Sequence, residues 1–145
     1  MAAAVERAIQ TADASFTLAP MLSLGNLAAE LTLVARGSLV LMSTWRDLIR
    51  VMAKEGDRFP DVMADARDRL FTTSHRFLAK WLEDKAPEEG SPDRDFEAIT
   101  TIWLGAIENY WIATSIHGDY PLGIDEDRFI RQWVSTLMTA IGAPT

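Results

Sequence analysis

The 145-residue sequence contains no cysteine, which excludes disulfides and thiolate chemistry and is compatible with a reducing compartment. It has only two histidines, His75 and His117, and neither follows a glutamate by three residues, so the Glu-x-x-His pairs of a di-iron bundle are absent. There is no HExxH, no GxGxxG, no GxxxxGK[ST] and no GxSxG. These absences predict no catalytic residues, no metal and no cofactor; the chain is not expected to be an enzyme. Positive charge is also scarce, with 14 Lys and Arg against 21 Asp and Glu, a net charge of −7 and a pI near 4.7. Such a chain lacks the concentrated basic surface that neutralises phosphates, so no duplex binding is expected of it. Long uninterrupted apolar runs are missing too. The longest, Leu27 to Met42, carries Glu30 and Arg36 and is short for a membrane span, and the first ten residues hold Glu6 and Arg7 where a signal peptide is apolar. A cytoplasmic protein without membrane contact is the expectation. No segment alternates with period two and no internal repeat occurs, so the expected class is all-α, a single domain over residues 1–145.

What is present is led by the stretch Asp95 to Ile116. Phe96, Ile99, Trp103, Ile107, Tyr110 and Thr114 share one helical face, and Ile102, Gly105, Asn109, Ile112 and Ile116 make a second. A surface helix needs one apolar stripe, so this one is expected to be covered from two directions, by the chain's own core and by a second copy. Gly105 costs about 1 kcal/mol of helix propensity against alanine and lets another backbone come close.

Five further helices are predicted. The first covers about Ala2 to Ser15, with Val5, Ala8, Ile9, Ala12 and Phe16 on one side; Pro20 and Gly25 mark the connector. Asn26 caps a second over Leu27 to Met42, apolar almost all round and expected to be buried. Thr44 and Asp47 resemble a capping box opening a third, which ends at Gly56. Pro60 begins a fourth that runs to about Ala86, with Met63, Ala66, Leu70, Ser74, Phe77 and Trp81 in one stripe and Phe71, His75, Leu78 and Leu82 beside it. Ser91-Pro92 leads into the long Asp95 helix. Asp125 caps the last, whose stripe is Phe129, Ile130, Trp133, Val134, Leu137, Met138 and Ile141, with Gly142 stopping it.

Small or polar residues stand beside large apolar ones on several of these helices, which leaves room for a cavity. The candidate ligand contacts are Met42, Trp45, Met52, Phe71, His75, Trp103, Ile107 and Tyr110. The plainer reading of His75 is a partly buried histidine with one hydrogen bond, and that of the aromatic and methionine residues is ordinary core. Met21, Met42, Met52 and Met63 lie in segments able to converge. Arg36, inside an apolar helix, needs an acidic partner, for which Glu108 is a candidate. The candidate dimer residues are Gly105 and Ile112, with Phe129, Ile130, Trp133, Leu137 and Ile141 from a stripe wider than one neighbour needs. They imply an apolar interface of roughly 2,000 Å² or more.

The run AVERAIQTADASF, then LAAELTLVARGSLVLM, then EGDRFPDVMADARDRLFTTSHRFLAKWLEDKA, then AITTIWLGAIENYWIATSI and finally DEDRFIRQWVSTLMTAIG resembles the C-terminal regulatory domain of the TetR family of transcriptional regulators. The likeness is one of helix order, helix length and local patterns such as Arg58-Phe59-Pro60, and it spans about Ala4 to Gly142. It implies a homodimer held by a four-helix bundle from the last two helices of each subunit. It also implies a pocket among the preceding helices, and a ligand that alters the spacing of two DNA-reading heads. The family's magnesium and tetracycline ligands find no matching residues here, so neither is carried over. The chain begins about where the family's helix-turn-helix would end, so DNA contact is implied only through a missing N-terminal segment. The resulting expectation is an effector-binding and dimerisation domain of a probable repressor, with a small hydrophobic or aromatic effector. The rivals are a helical interaction module without a pocket and a helical enzyme on an apolar substrate, for which His75 and Glu108 are the available acid and base.

Overall fold

In a computed structural model, which describes residues 23–89 and 93–144, the chain is all-helical: six α-helices and no strand occur among the described residues. They are α1 (Leu27–Thr44), α2 (Arg46–Glu55), α3 (Pro60–Arg67), α4 (Thr73–Lys85), α5 (Phe96–Trp111) and α6 (Glu126–Ala140). The helix expected over Ala2 to Ser15 lies outside the described residues, as do Pro20, Met21 and Ser91-Pro92.

Three helix starts follow from their caps. The side chains of Asn26, Asp95 and Asp125 accept hydrogen bonds from the N–H groups of Ala29, Ala98 and Arg128, each contributing about 1 kcal/mol. Pro60 takes the first position of α3. The expected capping box at Thr44 does not form. Thr44 remains inside α1, where its hydroxyl donates to the Val40 carbonyl, and Trp45 makes the turn into α2 without a side-chain cap. A hydroxyl that can bond back along its own helix has less reason to break it.

The predicted helix over 60–86 is realised as α3 and α4 joined by a π turn, Asp68–Thr72. One extra residue enters the turn and rotates everything after it. The buried positions of α4 are Ser74, Ala79 and Leu82, with Leu78 and Trp81 packed partly against the core, and Phe77, expected in the stripe, is turned outward. A second π turn, Ile112–His117, ends α5 and closes on Gly118 at φ 73°, a conformation that suits glycine.

The core is built by α1, α5 and α6, and α4 packs along α5 with Leu82 entering the same core. Leu31, Ala35, Ile107, Trp111, Ile130, Leu137 and Ile141 are fully enclosed. Burying each large aliphatic contributes roughly 1.5–3 kcal/mol. The Trp103 and Trp133 indole N–H groups donate to each other's backbone carbonyls at 3.3 and 2.8 Å, which ties α5 to α6 twice. Trp111 donates to the Ser43 hydroxyl at 2.9 Å and ties α5 to α1. Arg94 donates to the carbonyls of Ile141 and Pro87, holding the start of α5 against the end of α6.

Helix α1 departs from expectation on one side: Leu33 and Val40 are exposed, so it is not buried all round. By length and composition alone it is the one helix among the described residues able to cross a membrane. Its charges are engaged within the protein. Glu30 is completely enclosed; one carboxylate oxygen accepts from the N–H groups of Leu24 and Gly25 at 2.7 and 3.2 Å. The other lies 3.4 Å from the Lys85 ammonium without a hydrogen-bonding geometry, an ion-pair contact only. Arg36 pairs with Glu126 and Asp127 of α6, at 3.3 and 2.7 Å, and not with Glu108. Lying on the solvent side of α1, it reaches the acidic first turn of α6, where three acidic residues cluster.

Candidate ligand cavity

A cavity of about 90 Å³ lies between the C-terminal half of α1, the π turn with the start of α4, and the middle of α5. Its deep wall is Met42, Trp45, Leu104 and Ile107, all buried; Leu41, Phe71 and Leu78 close the sides. Ser38 lines it with its hydroxyl donating to Val34, and Ser74 lines it from α4. His75 and Glu108 stand at the mouth, on facing helices. His75 Nε2 is 3.9 Å from Glu108 Oε1, beyond hydrogen-bond reach, and both side chains retain partial exposure. The π turn creates this meeting, because the residue it adds carries His75 round to face α5.

Burial shifts both groups toward neutrality. Desolvation lowers the His75 pKa below its ordinary 6.5 and raises that of Glu108 above its ordinary 4.5. The Trp45 indole N–H, also in this wall, is buried without an acceptor. An orphaned donor of this kind costs about 1–3 kcal/mol.

Of the residues expected to contact a ligand, the structure brings together Met42, Trp45, Phe71, His75 and Ile107. Three are placed elsewhere. Met52 belongs to the small satellite cluster around Trp45 and Ala66 and does not line the cavity. Trp103 lines a void of only about 10 Å³ between α1, α4, α5 and α6 and is held by Trp133. The Tyr110 hydroxyl donates to the Ile124 carbonyl, and its ring stacks on Phe129 with centroids 4.1 Å apart. In each case a partner inside the chain satisfies the group that the sequence leaves open. Met63 is buried but outside the cavity. Leu41, Leu78, Leu104 and Glu108 complete the lining without having been singled out as ligand contacts. Glu108 had a usable signal, as the one charge in the middle of an apolar helix. A third opening, broader and more exposed, runs between Val40, Ser43, Thr44, Thr114 and Ser115, and the hydroxyls of Ser43, Thr44 and Thr114 bond back to their own helices.

The expected dimer residues also divide. Ile130, Trp133, Leu137 and Ile141 are 2%, 5%, 1% and 0% exposed within this single chain. Helices α1 and α5 cover the wide stripe of α6 between them, so these four side chains pack into the chain's own core. Phe129 is half-buried against Tyr110. Gly105 and Ile112 lie instead on the outer side of α5, with Ile102, 62% exposed. A Cβ built at Gly105 would meet nothing within 4 Å, so no packing inside the chain requires a glycine there.

Among the described residues no group of three or more His, Asp or Glu side chains could hold a metal ion. Compared with protein-family models, with curated proteins and with solved structures, the chain has no match in any of the three.

Proposed function

We propose that this chain is the effector-binding and dimerisation domain of a cytoplasmic TetR-like transcriptional regulator, a homodimer whose geometry a small hydrophobic ligand shifts. The observation that carries this reading is the two-sidedness of α5. Leu104, Ile107 and Glu108 line a cavity on its inner side, while Ile102, Gly105 and Ile112 form an apolar outer side. A ligand on one face of a helix and a second copy on the other are coupled through that helix alone, which is the minimum a population shift needs. The second copy is the occupant that best suits the outer face. It carries no charge over Ala98, Ile102, Gly105, Asn109 and Ile112, so two molecules of net charge −7 meet there without opposing carboxylates. The glycine at its centre suits a close two-fold crossing. DNA contact belongs to a further segment in this reading, since the acidic composition does not support it here.

Sedimentation tests the dimer. The wild-type chain is expected to be dimeric at micromolar concentration. Ile102→Asp should be monomeric with unchanged helicity, because a charge buried without a partner opposes association. A monomeric wild-type chain at that concentration overturns the reading. One observation favours a second reading, a dimerisation module without an effector: the cavity, about 90 Å³, is smaller than the engineered void of about 150 Å³ that holds benzene. A thermal-shift screen of small hydrophobic compounds separates the two. A bound compound at a hundred times its dissociation constant adds about 2.7 kcal/mol, and a flat screen favours the module.

A further inference from the structure

Among the described residues, the ionisable side chains that line the cavity are one carboxylate and one imidazole, with no lysine or arginine. Glu108 and His75 face each other at 3.9 Å and have no other polar side-chain partner among the described residues. Two aromatic rings, Trp45 and Phe71, are part of the same lining. We infer that the cavity selects an organic cation, a small alkylamine with its apolar body between α1, α4 and α5 and its ammonium group at the mouth against the Glu108 carboxylate. The inference rests on the sensing role proposed above and adds the sign of charge that the ligand carries.

Three features of the lining act in the same direction. Burial raises the Glu108 pKa because its charge has lost water without gaining a cation, and a bound ammonium group supplies that counter-charge and favours the carboxylate form. Burial favours the neutral imidazole, so an entering cation does not meet a second positive charge. The faces of Trp45 and Phe71 attract a cation through their quadrupoles wherever it approaches within about 6 Å. A carboxylate ligand would face the opposite arrangement: Glu108 repels it, and among the described residues no guanidinium or ammonium group lines the cavity to hold it. A neutral alcohol of the same size gains the apolar contacts without the charged one.

The experiment is a matched series on the purified chain at neutral pH, with apolar groups smaller than benzene: isobutylamine, isobutanol and isobutyrate. Binding is read by NMR from the indole resonance of Trp45, assigned with Trp45→Phe, and from the ring resonances of His75. The amine should bind roughly tenfold tighter than the alcohol, the gain expected of one charge-assisted contact, and isobutyrate should not bind. In Glu108→Gln the amine should fall to the alcohol's level. If the alcohol matches the amine in the wild-type chain, or isobutyrate binds more tightly than either, the charge inference is overturned while the cavity remains a binding site. If none of the three moves the Trp45 or His75 resonances at millimolar concentration, the inference and the sensing role fall together.

Discussion

Around Trp133, side chains of α1, α5 and α6 close on one another, and both paired indoles, Trp103 and Trp133, find acceptors. Around Trp45 the packing is of another kind. Helix α2 has no fully buried residue, the satellite cluster there holds only Trp45 and Ala66 at its centre, and the Trp45 N–H has no acceptor. The first region has what gives a domain its stability: enclosed apolar surface and satisfied polar groups. The second has half-exposed walls and two titratable groups shifted toward neutrality. Regions that open to admit a ligand come from the less stable end of a structure, and the contrast places that end at α2, α3 and the start of α4.

The largest expected effect sharpens this contrast directly. Trp133→Ala removes a buried ring and one of the paired indole bonds, and should cost about 3–5 kcal/mol. Phe71→Ala, in the half-open wall, should cost less than half as much, because its ring keeps partial contact with water. Urea denaturation of the two variants measures both, and equal losses would show that the two regions are equally close-packed.

A smaller effect probes the exception inside the well-packed region. Thr100 is buried at the small void beside Trp103, and its hydroxyl has no partner. Thr100→Val keeps the shape and removes an unsatisfied group, so it should raise stability by about 1 kcal/mol. A loss of stability in the same denaturation series would mean that a water in that void satisfies the hydroxyl.

The smallest effect concerns pH and belongs to the cavity alone. The His75 pKa lies below its ordinary value in the folded chain, so the unfolded chain binds the proton more readily. Its contribution is therefore complete above about pH 6.5 and is lost as pH falls from there through the folded value. Glu108, raised above its ordinary 4.5, acts with the opposite sign: its contribution is present at low pH and is lost as pH rises through its folded value. Melting temperatures from pH 4.5 to 7.5 should show a weaker acid-side loss in His75→Asn and a stronger one in Glu108→Gln. Profiles parallel to wild type in both variants would mean that the mouth is as wet as bulk solvent.

Much of this fold is legible in the order of residues. The caps at Asn26, Asp95 and Asp125, Pro60 at a helix start and the two faces of the Asp95 helix all follow from local chemistry and period 3.6, which act within a turn or two. The all-α class follows from the same periodicity. The sequence did not reveal which side of each wide apolar stripe the chain itself would cover. The stripe of α6 looked too wide for one neighbour; α1 and α5 together take all of it, which moves the free apolar surface to Ile102, Gly105 and Ile112. Nor does residue order show the π turn at Asp68–Thr72, a one-residue slip whose outcome depends on packing against α5. That slip turns Phe77 out and brings His75 opposite Glu108, thirty-three positions away in the chain. Periodicity determined which elements form, because hydrogen bonding and side-chain direction are local. Tertiary packing decided which faces are spent on the core and which polar groups meet, because burial is shared among helices and no single helix carries that information.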